Sequence, residues 1–487
     1  MTTELYHDIC AWLRDLIRDT RWEGKVFTVG GCCRDSIMGL PIKDVDLAVN
    51  TPDGGIDFAM WLYDKGLCTA EPVTFPKYGT ARLWLKEFPD DEIELVQTRR
   101  EKYTDRTSRD PSTVFGSIED DCYRRDLTIN SLYYDISSGK TLDITGRGLA
   151  DIENRIIRTP SDPDTTFDDD PVRIIRAVRF AAKFGWEIEP QAFEAMSRYA
   201  SRLSIISPER MAGEFEKAIM TPHPAQALDM LRQIGALPYI LPELMSTVGM
   251  KQSEYHFGTV WEHTLATVER VPADTLLRMA ALLHDIGKIV AYTEDKDGSI
   301  RFPGHDRRCA AVIDKALRRL HYHKPFIDKV IFLCVHHEAA KSWGPDAEKM
   351  TDAALRRLQH LCRTPKRLAN LLALINADNR SYAPSHCMPG QCDIIRRRSD
   401  QLRREGTAMF NYALPIKAAR VRRILRLPSE GHTREVENAM SELMKAACEN
   451  PRLSREQAAA ITARLRADIS ADTEHEPRRR SRRKKKK

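Results

Sequence analysis

The sequence predicts an α+β chain: a mixed α/β N-terminal domain followed by an all-helical remainder. Three observations carry this. Residues 1–140 alternate short β-rich runs with helical spacing. From Ile118 onward almost everything has helical periodicity, punctuated by Pro and Gly. At 487 residues the chain is too long for one core, so two to four domains are expected.

The elements follow in order. Met1 to Arg21 reads as a charged amphipathic helix without the apolar centre of a signal peptide. Val26 to Val29 reads as a strand, Gly30-Gly31 as a turn and Cys32 to Met38 as a short helix. Asp44 to Val49 is a second strand, Gly55 to Lys65 a helix, and Tyr78 to Leu85 and Glu92 to Thr98 further strands. Thr104 to Phe115 is polar and charged and reads as a flexible loop. Helices are then expected over Pro171 to Phe184, Pro190 to Tyr199, Ala225 to Ile234 and Ala273 to Ile289, with no internal repeat. The expected division is 1–140, 141–220, 221–385, 386–476 and a disordered basic extension at 477–487.

The composition, 42% apolar and 30% charged, is that of a soluble globular protein. No run approaches the roughly 18 apolar residues of a membrane span, so no membrane association is expected. The eleven cysteines are scattered and form no Cys-x-x-Cys pair, which points to a reducing compartment, the cytoplasm. His386, Cys387 and Cys392 lack a fourth ligand for zinc and read as incidental. Nine of the last ten residues are Arg or Lys; removing those nine charges from the net +6 leaves −3. Only the tail is therefore a polycation able to attract phosphates without reading sequence.

Chemistry concentrates first at Gly30-Gly31, Arg34-Asp35 and Asp44-Val45-Asp46. Side chains alternate along a strand, so Asp44 and Asp46 share a face. Two adjacent carboxylates repel unless a cation lies between them, and Mg²⁺, with its demand for oxygen ligands, suits phosphoryl chemistry there. Glycines before a helix let backbone amides approach a phosphate, and Arg34 adds charge. Glu94, in the alternating run after Glu92, offers a third carboxylate from a neighbouring strand.

This arrangement, followed by Arg124-Arg125-Asp126 with Asn130, Asp143 to Asp151, Asp169-Asp170-Pro171-Val172-Arg173 with Arg176, and Pro208-Glu209-Arg210, resembles the class II CCA-adding enzyme and bacterial poly(A) polymerase family. Asp169 stands where that family usually has Glu, and Cys33 where it has Val. The resemblance implies a nucleotidyltransferase palm, a helical neck and Mg²⁺ on Asp44, Asp46 and Glu94. It implies nucleotide contacts from Gly30, Gly31, Arg34, Asp35, Arg125, Asp126, Asn130 and Arg176, and base selection by Asp170 and Arg173. Three apart on a helix, Asp170 and Arg173 would share one face. Asp accepts and Arg donates, which matches the amino group beside a ring nitrogen in both cytosine and adenine. Arg125, Asp126 and Asn130 are expected on a helix after the palm.

Further on, His263, His284-Asp285 with Lys288, His305, His336-His337-Glu338 and Asp378 resemble the HD phosphohydrolase superfamily. Imidazoles with carboxylates suit a divalent transition metal. The resemblance implies His263, His284, Asp285 and Asp378 around one ion, with His305 and His336 left for a second ion or for phosphate. The expected partners are tRNA, CTP and ATP. A poly(A) polymerase, a partial CC- or A-adding enzyme governed by Phe88 to Thr113, and an HD phosphohydrolase with an RNA-binding head are the alternatives. The oligomeric state is left open.

Overall fold

A computed structural model describes residues 1–102, 112–253, 256, 258–428 and 430–474. The basic extension lies outside the described residues, as does the expected flexible loop as far as residue 111.

The N-terminal sheet is built from alternation of apolar and polar side chains. Its strands are β1 (Val26–Val29), β2 (Val45–Val49), β3 (Val73–Phe75), β4 (Thr80–Trp84), β5 (Glu92–Gln97), β8 (Tyr133–Asp135) and β9 (Lys140–Leu142), in the order β3-β4-β5-β2-β1-β8-β9. Strands β6 (Arg99–Lys102) and β7 (Ser112–Phe115) form a separate antiparallel hairpin. In the main sheet β2 and β5 run parallel, and every other pairing is antiparallel. Val45, Leu47 and Val49 on β2 and Ile93 and Leu95 on β5 bury one face. Helices α1 (Thr3–Ile17) and α3 (Gly54–Asp64) cover it, with Ile9, Leu13, Phe58 and Leu62 in the same core. The opposite register positions carry the polar residues discussed below.

Two expectations are corrected here. Ser112–Phe115, read as loop, is strand, because a partner strand satisfies its backbone despite the polar surroundings. The chain beyond Ile118 is not purely helical: β8 and β9 return to the sheet after the short helix α4 (Ile118–Tyr123).

Next come α5 (Gly148–Asn154), α6 (Pro163–Asp169), α7 (Val172–Phe184), α8 (Pro190–Tyr199) and α9 (Pro208–Ile219). Pro at the first turn of α6, α8 and α9 fits a position whose N–H has no partner within the helix. Helix α7 buries Ile174, Ile175, Val178 and Ala181 and packs against α9. The C-terminal half is helical, with α12 (Val260–Arg270), α13 (Thr275–Leu283), α14 (His305–Arg319), α15 (Lys324–Val335), α16 (Asp352–Cys362), α17 (Pro365–Asn379) and α18 (Gln391–Arg404) among its elements, preceded by α10 (Pro224–Gln233) and α11 (Leu237–Ile240). The chain forms two compact units, 1–250 with 273–278 and 311–327, and 251–272 with 279–310 and 328–487. No described helix is long and apolar enough to cross a membrane. The cysteines are all free thiols.

Candidate functional sites

In the first unit the helix α2 (Gly31–Ile37) starts from Gly30, at φ +80° and ψ −125°, which glycine adopts without strain. A β-carbon there would stand 3.5 Å from an Arg125 guanidinium nitrogen. Register then does the work: β2 and β5 pair Asp46 directly with Glu94, so both carboxylates leave the same face of the sheet. Burial and the Glu94 charge push the Asp46 carboxyl up to about 6, even though Arg125 draws it down. A carboxylate held this uncomfortably fits a hard divalent cation. Asp44 lies one residue before β2, exposed and 3.2 Å from Lys43.

Arg125 is held in turn by Asp121, 0% exposed. It accepts hydrogen bonds from Arg124 (2.5 Å), Arg125 (2.8 Å) and the Tyr133 hydroxyl (2.6 Å). Burial opposes its charge, but the Arg125 and Arg124 charges hold it well below the usual carboxylate range. Asp126 is likewise kept low, at about 2: burial alone would raise it, and Arg176 at 2.6 Å outweighs that. Contrary to expectation, Arg125, Asp126 and Asn130 do not sit on an α-helix after the palm. They occupy a turn after α4 and one turn of 3₁₀-helix (Thr128–Asn130) between strands of the sheet. Arg125 is held there by Asp121 and Asp126 by Arg176, while the Asn130 amide donates to Asp126 at 3.1 Å and accepts from Arg34.

Asp170 and Arg173 also depart from the expected geometry. Asp170 caps the end of α6 in extended conformation, and α7 begins only at Val172, so the two do not share a helical face. Nor do they pair with each other in a surface ion pair. Arg210 grips Asp170 with two hydrogen bonds of 3.1 and 2.5 Å. Arg173 donates to the Arg124 carbonyl at 2.7 Å and lies 3.7 Å from Glu101. Both are buried, yet both line one cavity of about 550 Å³ together with Arg125, Asp126, Arg176 and Tyr78. A second cavity of about 550 Å³ holds Asp46 and Glu94 and shares Tyr78, Arg99, Arg124 and Arg125 with the first.

Asp44, Gly30, Gly31, Arg34, Asp35 and Asn130 line neither cavity. Arg34 is 4% exposed, donates to Asp35 at 2.8 Å and to Asn130, and lies over the Phe180 and Phe184 rings. It braces the turn here. Asp121 and Glu101 escaped the sequence reading because acidic residues among arginines are ordinary surface chemistry, and Tyr133 because its partner Asp121 lies 12 residues away.

In the second unit His263 on α12, His284 and Asp285 after α13, and Asp378 on α17 meet in the interior. The ring nitrogen Nε2 of His263 stands 2.9 Å from Asp378 Oδ1 and 3.3 Å from His284 Nε2. Lys288 Nζ lies 2.7 Å and His305 Nε2 3.3 Å from Asp285. Burial opposes ionisation of both carboxyls, but Lys288 and His284 hold Asp285 low, and the hydrogen bond from His263 holds Asp378 low. Among the described residues three groups can each surround a cation: His256, His263 and Asp285; His263, His284 and Asp378; and Asp285, His305 and His337. His336 is corrected: it packs edge-on to Phe332, and its neighbour His337 joins the cluster. The turn after α15 puts consecutive histidines on different faces, and adjacency could not tell them apart. His256 was missed because an isolated histidine carries no signal. His386, Cys387 and Cys392 belong to none of these groups.

Three family models match: poly A polymerase head domain at residues 26–158, probable RNA and SrmB-binding site of polymerase A at 185–247, and HD domain at 254–373. A multifunctional CCA protein of Ralstonia nicotianae is 31% identical over 75% of this chain and 84% of its own length. Another from Vibrio vulnificus is 28% identical over 73% and 85%. The fold resembles a Bacillus stearothermophilus CCA-adding enzyme in complex with CTP, with TM-score 0.64, 22% identity and 92% and 94% of the two chains covered. It also resembles a Thermotoga maritima CCA-adding enzyme complexed with tRNA, with TM-score 0.57, 17% identity and 95% and 96% covered.

Proposed function

This chain belongs to the multifunctional CCA protein family, and from that premise we infer that it adds C, C and A from CTP and ATP to the 3′ end of tRNA without a nucleic-acid template. The observation that carries the reading is the register of β2 and β5, which sets Asp46 beside Glu94 at a cavity adjoining the one lined by Asp170 and Arg173.

Asp44, Asp46 and Glu94 would hold Mg²⁺, which when bound favours ionisation of the tRNA 3′-hydroxyl and neutralises triphosphate charge. The hydroxyl oxygen forms the new bond to the α-phosphorus, and the α–β bridge breaks as pyrophosphate leaves. The hydroxyl proton passes to solvent. Of the cations lining the cavity, Arg125 and Arg176 would meet the triphosphate, with Asp126 toward the sugar hydroxyls. Gly30, Gly31, Arg34, Asp35 and Asn130 keep the turn beneath them in shape. Arg210 and Glu101 hold Asp170 and Arg173 apart, leaving an acceptor and a donor for the base edge. Cytosine and adenine satisfy both; uracil and guanine set donor against donor and acceptor against acceptor. In this reading residues 1–140 form the palm, 141–220 the base-selecting neck, 221–385 the HD body and 386–476 the tail.

The histidine–aspartate cluster favours a second activity. His263, His284, Asp285 and Asp378 fit a divalent transition metal by donor type, and hydrolysis of 2′,3′-cyclic or terminal phosphates on RNA would follow. Incubation of tRNA lacking CCA with labelled CTP and ATP tests the first reading, and hydrolysis of an RNA ending in a 2′,3′-cyclic phosphate tests the second. The double variant Asp44→Ala, Asp46→Ala is expected to lose incorporation and keep phosphatase activity. Unchanged incorporation would overturn the first assignment.

A further inference from the structure

The cavity holding Asp46 and Glu94 has a wall that catalysis by carboxylates does not explain. On the edge strand β3, alternation points Val73 and Phe75 to one face, and both are exposed, Phe75 by 39%. The 3₁₀ turn Pro76–Tyr78 follows at once and leaves the Tyr78 ring 48% exposed. Phe75 and Tyr78 both line this cavity. Neither ring belongs to the sheet core. Arg82, which lines this cavity and lies 3.6 Å from Glu94, is 5.6 Å from the Phe75 ring centre, and Lys77, which lines the neighbouring cavity, is 5.3 Å from that of Tyr78.

The position decides the ligand. The incoming base is read in the cavity of Asp170 and Arg173, which Phe75 does not line, whereas Tyr78 lines both cavities and stands where they meet. A 3′-hydroxyl attacking at Asp46 and Glu94 must arrive from the other cavity, bringing its own unpaired nucleotide. Single-stranded ends are held by bases stacked on aromatic rings, with nearby cations meeting the backbone phosphates. A cavity of about 550 Å³ is within the usual size of small-ligand sites.

We propose that Phe75 and Tyr78 form a stacking seat for the unpaired 3′-terminal bases of the acceptor RNA, with Arg82 at its rim. This rests on the nucleotidyltransferase reading above. Every base has a flat face, so the seat accepts each successive end of the growing acceptor without selecting it. Selection stays with Asp170 and Arg173.

The test uses the full chain and a tRNA ending in CC whose terminal cytosine is replaced by fluorescent pyrrolocytosine, first without nucleotide. Wild type is expected to quench the fluorophore. Phe75→Ala and Tyr78→Ala should lose most of the quench and raise the KM for this tRNA on the order of tenfold. For Phe75→Ala the KM for ATP should stay within twofold, and Phe75→Tyr should restore the quench. Thermal melting should be unchanged, because both rings are exposed. An unquenched wild-type complex, unaltered tRNA binding in both alanine variants, or a Phe75→Ala effect confined to the KM for ATP would overturn the seat. A wild type that quenches the probe but adds no nucleotide would instead sink the nucleotidyltransferase reading and leave the seat standing.

Discussion

Replacing Asp121 by asparagine should destabilise the N-terminal unit by about 3 kcal/mol, at the lower end of the roughly 3–5 kcal/mol for breaking a buried ion pair. The carboxylate is 0% exposed and receives Arg124, Arg125 and the Tyr133 hydroxyl. Asparagine keeps the shape and removes the charge, leaving Arg125 without its counter-ion; Arg124 retains Glu101 at 2.9 Å, which argues for the lower figure. Urea unfolding followed by tryptophan fluorescence reads the change, since Trp22 and Trp61 lie in this core. With a slope of about 3 kcal/mol per molar, the midpoint should fall by roughly 1 M. Tyr133→Phe, losing one hydrogen bond, should cost only about 1 kcal/mol. Because the folded-state pKa is depressed, the carboxylate's contribution is complete above its unfolded value of about 3.9 and is lost only as pH falls through the lower folded value. The deficit of the Asn variant should therefore persist unchanged from pH 7 to pH 5. A variant within about 0.5 kcal/mol of wild type would refute the claim that Asp121 is the counter-ion holding Arg125 beneath the site.

Arg210→Gln should release Asp170 and lower discrimination of CTP over UTP by about tenfold, read from the kcat/KM ratio; a proportional loss with both nucleotides would contradict a positioning role. His337→Ala should reduce transition metal bound per chain, measured by elemental analysis, while His336→Ala leaves it unchanged. Since the Asp46 carboxyl is raised to about 6, protons should compete with Mg²⁺ below that pH. The Mg²⁺ concentration giving half-maximal incorporation should rise steeply from pH 7 to pH 5, and a flat dependence would count against Asp46 as a ligand.

Much of this was legible from local chemistry. The alternation around Asp46 and around Glu94 determines faces, because faces follow from period two wherever a strand forms; Asp44 falls one residue outside β2, so the face expected for it with Asp46 does not follow. What spacing could not supply was the pairing of Asp46 with Glu94, a matter of strand order across 48 residues of chain. The neck shows the opposite case. Asp170 and Arg173 read as helical neighbours because their interval fits a helix, but the break before Pro171 puts them in different backbone environments. Their true partners, Arg210 and Glu101, come from a helix and a hairpin remote in sequence. His336 and His337 show the limit most simply, since choosing between adjacent residues requires the direction of the turn after α15.

The most direct measurement of the central claim is sequencing the 3′ ends of a tRNA that lacks CCA after incubation with the chain, CTP and ATP together. Template-independent CCA addition predicts products that end in CCA and stop there, with only C residues added when ATP is withheld. A tail of many A residues, or the same products from a chain carrying Asp44→Ala and Asp46→Ala, would contradict it.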